Sequence, residues 1–129
     1  MSVKRYSSAG SGSGGRQLPF SRAVEAGGFL YVSGQVAMEN GEIVGQGIVE
    51  QTRKTIDNLQ AILEEAGYSL ADVVKVNCWL DDPRDFWSFN GVFESAFGSN
   101  PPARSTVQTQ LVVDAKVEMD LIAYRPPQA

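Results

Sequence analysis

The chain predicts an α/β fold: a mixed β-sheet with two helices on one face. Three observations carry that expectation. Strand and helix signals follow one another in the order strands, helix, strand, helix, two strands, an alternation that pairs helices with one sheet. The spacing of apolar residues changes to a helical period from Ile48 to Ala66, where Ile48, Thr52, Ile56, Leu59, Ile62, Leu63 and Ala66 share a face and Glu50, Arg53, Lys54, Asp57 and Glu64 fall largely opposite. And Val73-Val74-Lys75-Val76-Asn77-Cys78-Trp79-Leu80 is apolar at odd and even positions alike, apart from Lys75 and Asn77, so both of its faces ask for cover.

The elements follow in order. Residues 1–17 are expected to be partly flexible, because 7–15 read Ser-Ser-Ala-Gly-Ser-Gly-Ser-Gly-Gly and offer few side chains to pack. Phe29-Leu30-Tyr31-Val32-Ser33 is a short aromatic and β-branched strand, closed by Gly34-Gln35. Asn40-Gly41 marks a hairpin-like reversal. Gly67 is placed to end the first helix. Asp81-Asp82-Pro83 caps and opens the second, along which Phe86, Phe89, Asn90, Phe93 and Phe97 form one stripe. The break Asn100-Pro101-Pro102 leads into a strand starting near Arg104, with apolar residues at Val107, Leu111, Val112 and Val113. A last strand-like run, Lys116 to Tyr124, carries Glu118. Two helices cover one face, so the other predicts an apolar patch and a homo-oligomer.

Composition narrows the chemistry. The 129 residues read as one domain, 1–129, with 43% hydrophobic residues for a core. A net charge of −4 argues against nucleic acid as a partner. No apolar run approaches the length of a membrane span, and no signal-peptide core opens the chain. The single cysteine, Cys78, makes no intrachain disulfide and fits a reducing, cytoplasmic setting. With no histidine and one cysteine, the usual neutral-pH base, histidine triads and thiolate metal sites are excluded, so neither a metal nor a cofactor is expected. Any catalysis falls to carboxylates, arginine, hydroxyls, backbone dipoles and water.

Among these, Arg104 stands out. A guanidinium is permanently charged and presents a planar fork that matches a carboxylate. Two prolines just before it fix its place at a strand start. It has either a fixed acidic partner in the protein, for which Glu118 is a candidate on a neighbouring strand, or an acidic ligand.

Leu18-Pro19-Phe20-Ser21, Tyr31-Val32-Ser33-Gly34-Gln35, Thr55-Ile56-Asp57-Asn58-Leu59, Phe89-Asn90-Gly91-Val92-Phe93, Pro102-Ala103-Arg104-Ser105 and Val117-Glu118-Met119-Asp120 occur in this order over most of the chain. In that order and spacing the sequence resembles the reactive intermediate deaminase (Rid, or YjgF) family. The resemblance implies a chorismate-mutase-like fold that closes into a homotrimeric barrel with clefts between subunits. It implies hydrolysis of enamines and imines of the 2-aminoacrylate type to 2-oxo acids and ammonia. It implies that Arg104 grips the substrate carboxylate and that Glu118 positions or activates water. Ser33, Gly34, Asn90 and Thr106 would line the site. Phe20 stands where many members carry tyrosine, and Thr106 where many carry cysteine. The missing hydroxyl at Phe20 keeps two alternatives open: a non-catalytic carboxylate-binding, chaperone or regulatory protein, and a pathway-specific deaminase of a larger unsaturated amino acid.

Overall fold

The computed structural model describes residues 2–8 and 18–127; most of the Gly/Ser-rich stretch 7–15 lies outside these. Eight strands and two helices succeed one another as β1 (Lys4–Tyr6), β2 (Ala23–Ala26), β3 (Phe29–Gln35), β4 (Met38–Glu39), β5 (Glu42–Ile43), α1 (Ile48–Glu65), β6 (Val73–Leu80), α2 (Phe86–Phe97), β7 (Ala103–Gln108) and β8 (Val117–Tyr124). Six strands form one sheet in the order β1-β2-β3-β8-β6-β7, and β4 and β5 pair as a separate hairpin. All pairs in the sheet are antiparallel except β6 with β7, which α2 joins as a crossover.

Local sequence explains the element ends. The Asn40-Gly41 turn closes the hairpin with φ of 52° and 82°, the positive pair that suits the strand twist. Gly67 follows α1 at φ 86°. Ser69 and Asp72 cap each other around a 3-10 turn that delivers the chain to β6. Asp82 accepts a hydrogen bond from the Arg84 amide at 2.9 Å, which starts a 3-10 turn over Pro83–Asp85 ahead of α2.

The core lies between the sheet and the helices. Leu30, Val76, Cys78, Leu80, Val117, Met119 and Leu121 face the helices and are at most 2% exposed, against Ile56, Leu59, Leu63, Phe89 and Phe93. The registers alternate strictly: Val76 opposes Leu121, Cys78 opposes Met119 and Leu80 opposes Val117 on this face. On the other face Lys75 opposes Ile122, Asn77 opposes Asp120 and Trp79 opposes Glu118.

Within the N-terminal segment Lys4–Tyr6 pairs with β2. Three expectations need correction. Leu111, Val112 and Val113 do not extend the strand of Arg104; β7 stops at Gln108, and Val112 is fully exposed. Strand β6 is not equally apolar on both faces: its uncovered side carries half-buried Lys75, Asn77 and Trp79. That face is apolar mainly at one end, where Phe29 stacks on Tyr124 at 4.6 Å and lies 6.2 Å from Tyr31. Lastly, β7 and β8 are not neighbours, since β6 runs between them.

Candidate functional site

Arg104 opposes Val76, so its side chain leaves the sheet on the helix face, at the exposed edge where β7 ends the sheet. There it meets the phenylalanine stripe of α2. The guanidinium carbon lies 4.8 Å from the ring centre of Phe93, 5.4 Å from Phe89 and 5.8 Å from Phe86. Within about 6 Å an aromatic face attracts a cation. Among the described residues no carboxylate pairs with this arginine and no hydrogen bond engages its fork. The rings hold the charge in place and leave its donors free.

The fork opens on a cavity of about 610 Å³ between α2 and β7, lined by Asn90, Phe93, Pro101, Pro102 and Arg104 among others. The Oδ1 of Asn90 is buried there without a hydrogen-bond partner. A buried acceptor left unpaired is costly, and a ligand N–H or O–H would relieve it. Thr106, two residues beyond Arg104 on the same side of β7, sits opposite Cys78, and its hydroxyl too has no partner of ordinary geometry. Burial pushes the Cys78 thiol up to about 12, against the smaller opposing pull of the Arg104 charge, so it stays protonated and inert.

Glu118 lies elsewhere. It opposes Trp79 and therefore points to the uncovered face, opposite to Arg104. The pairing of β3 with β8 is interrupted by a bulge between Val32 and Gln35, and Ser33-Gly34 is the bulged pair. The bulge carries the Gly34 backbone against the Glu118 carboxylate, so closely that a methyl group at residue 34 would overlap Oε2 and stand 3.5 Å from Cγ. The Ser33 hydroxyl donates to the Ser21 carbonyl at 2.6 Å and ties the bulge to the preceding loop. Phe20, half exposed, shares a cavity of about 330 Å³ with Leu18, Gly34, Met38 and Ile62. Burial, and after it the charge of Asp120, raises the Glu118 carboxyl above the usual carboxylate range. No described residue neutralises it by an ion pair.

The seven residues singled out from the sequence thus fall into two groups. Arg104 and Thr106 of β7 face α2, which carries Asn90; Glu118, Gly34, Ser33 and Phe20 gather around the β3 bulge. A bridge between Arg104 and Glu118 is ruled out by the strand order and by the opposite faces they occupy. Trp87, expected to pack in the core or at an interface, lines the cavity of Arg104 and is 79% exposed in one copy. Its position one turn before Asn90 on α2 was the available signal.

Fold and site together define a small α/β protein that presents an unpaired arginine fork and a partly buried carboxylate without an ion-pair partner on opposite sides of one sheet. Comparison with known proteins then gives the family. The sequence family described as Endoribonuclease L-PSP matches residues 15–125. A RutC family protein of Pyrococcus abyssi is 47% identical over 110 residues, covering 83% of this chain and 87% of its own. The mitochondrial protein mmf1 of Schizosaccharomyces pombe is 38% identical over 109 residues, covering 81% of this chain and 67% of its own. Among solved structures, RidA of an Antarctic Psychrobacter superposes with a TM-score of 0.79 at 36% identity, covering 84% of this chain and 89% of that one. The chain belongs to this L-PSP/RutC/Rid (YjgF) family. No helix among the described residues is long and apolar enough to cross a membrane.

Proposed function

We propose that the protein hydrolyses small enamino and imino acids of the 2-aminoacrylate type to 2-oxo acids and ammonia, in a site shared between copies of a homotrimer. The observation that carries this reading is the Arg104 fork, held on three rings, unpaired and open to a cavity. A bidentate fork both attracts and orients a carboxylate. The enamine tautomerises to the imine in solution. Water then adds across the C=N bond as Glu118 takes its proton. That proton passes to nitrogen and gives the carbinolamine; the carbinol hydroxyl proton then moves through Glu118 to the same nitrogen as the C–N bond breaks, so ammonia leaves and the carbonyl forms. A carboxylate held above its ordinary pKa is suited to taking and returning that proton. Each copy supplies both groups on opposite faces of its sheet, so a complete site takes Arg104 from one copy and Glu118 from another. The uncovered aromatic end of the sheet supports such packing.

RNA cleavage draws no support from the site, because Arg104 is the one cation lining its cavity and the chain has no histidine. Phe20 favours a second reading, a carboxylate-binding protein without turnover, since its ring brings no hydroxyl to the Gly34 side.

Mixed subunits test the reading. Co-expression of Arg104→Ala and Glu118→Gln chains, each slowed alone in an ammonia-release assay, regains activity above either. With random assembly and one donor of each kind per site, about a quarter of sites are intact. Activity no higher than that of the separate variants defeats the shared site. Full ammonia release by Glu118→Gln alone defeats its role as the base, and retained pyruvate binding without any ammonia release by the wild type favours the second reading.

A further inference from the structure

Within one copy the cavity beside Arg104 has more room and more apolar wall than a three-carbon acid needs, and the copy that supplies Glu118 closes part of its mouth. Its volume of about 610 Å³ falls in the range, roughly 300–1,000 Å³, of pockets that enclose much larger ligands. Its walls include Trp87, Phe93, Phe97, Pro101 and Pro102, with the Asn90 amide and the Arg104 fork as the groups that read a polar end. Trp87 is the most exposed aromatic side chain among the described residues, at 79%. Its ring neighbour is Phe86, edge-on at 5.4 Å, and Phe86 is itself one of the rings around Arg104. Along α2 the stripe Trp87, Asn90, Gly91, Glu94 follows helical spacing. A Cβ at Gly91 would meet nothing within 4 Å, so the next turn does not crowd the indole. Glu94 stands exposed at the rim and repels a second carboxylate.

We propose that Trp87 is a specificity-determining residue, and that the cavity between α2 and β7 selects monocarboxylates bearing an aromatic or similarly large planar group. This rests on the reading of Arg104 as the carboxylate anchor. With the carboxylate on the fork, the rest of the ligand runs along the apolar wall toward the indole. An aromatic pair there adds stacking to the area it buries. The substrate class is therefore aromatic 2-imino acids, and dicarboxylates are rejected by Glu94.

Calorimetric titration with phenylpyruvate, pyruvate and 2-oxoglutarate tests this on the full chain, with light scattering of each variant. The wild type binds phenylpyruvate more tightly than the other two. Trp87→Ala narrows the phenylpyruvate-to-pyruvate affinity ratio by about tenfold, and Trp87→Phe restores part of it. An unchanged ratio in Trp87→Ala overturns the proposal. So does an equal loss of both ligands accompanied by dissociation of the assembly, which makes Trp87 a packing residue. Arg104→Ala separates the two levels. If it loses every 2-oxo acid while the Trp87→Ala ratio stays unchanged, only this inference falls. If it keeps them, the carboxylate anchor falls as well.

Discussion

The two faces of the central sheet are made by the same strands and serve opposite ends. On the helix side Val76, Cys78, Leu80, Val117, Met119 and Leu121 are sealed from water. On the other side the register partners one residue along are Lys75, Asn77, Trp79, Glu118, Asp120 and Ile122, all half-buried. The Asn77 amide donates to Asp120 at 3.0 Å, and the Lys75 ammonium donates to the Ser105 hydroxyl at 3.2 Å. The difference teaches where the chain stores stability and where it leaves chemistry unfinished. The covered face closes every apolar contact within one copy. The open face carries a carboxylate with no ion-pair partner, and only the sheet's edge lets a charged side chain, Arg104, emerge among the helices.

Truncation should separate the faces most sharply. Met119→Ala, wholly buried, is expected to lose about 2–5 kcal/mol of stability. Tyr31→Ser, half exposed on the open face, loses far less as a monomer and instead weakens self-association. Chemical denaturation with light scattering checks both; equal losses of stability would break the contrast.

Next in size is the edge arginine. Arg104→Lys is expected to fail almost as badly as Arg104→Ala, with kcat/KM down on the order of 10–10³-fold, because a point charge lacks the fork. Both variants keep their melting temperature, since no carboxylate among the described residues is left unpaired by the change. A large loss of melting temperature would return Arg104 to a structural role.

The smallest effects concern protons on the open face. A base must be ionised to act, so turnover falls as pH drops through the raised pKa of Glu118. Asp120→Asn removes the lesser of the two causes of that rise, and the acidic limb of the kcat/KM profile moves to lower pH by less than about one unit. The sign for stability is opposite. Folding raises this pKa, so the ionised carboxylate costs stability at pH above its folded value and the cost vanishes on acidification. Glu118→Gln should therefore melt higher than wild type at neutral pH while turning over more slowly. A lower melting point at neutral pH would contradict the unpaired, partly desolvated carboxylate.

Much of this architecture was legible in the sequence. The helical period over 48–66, the Asn40-Gly41 turn, the Asp82-capped 3-10 turn ahead of α2 and the strand 73–80 all rest on local signals strong enough to hold through folding. Strands β1 and β2 left no such trace: Lys4-Arg5-Tyr6 and Ala23-Val24-Glu25-Ala26 are short, and their pairing with β3 decides their state. Leu111-Val112-Val113 misled for the converse reason, an apolar run that finds no partner strand. Within the site, residue types and sequence order pointed to Arg104 and Glu118, but not to their separation. That depends on β6 lying between β7 and β8, a long-range order that no local pattern encodes.

The bulge at Ser33-Gly34 ties two distant positions into one unit of evolutionary change. A side chain at residue 34 meets the Glu118 carboxylate before anything else, so it enters only as that carboxylate swings aside. A mutational scan at residue 34 therefore reads the acid as much as the glycine, since each added side chain relocates the carboxylate. Aspartate at residue 118, one methylene shorter, clears room for alanine at residue 34 without that displacement.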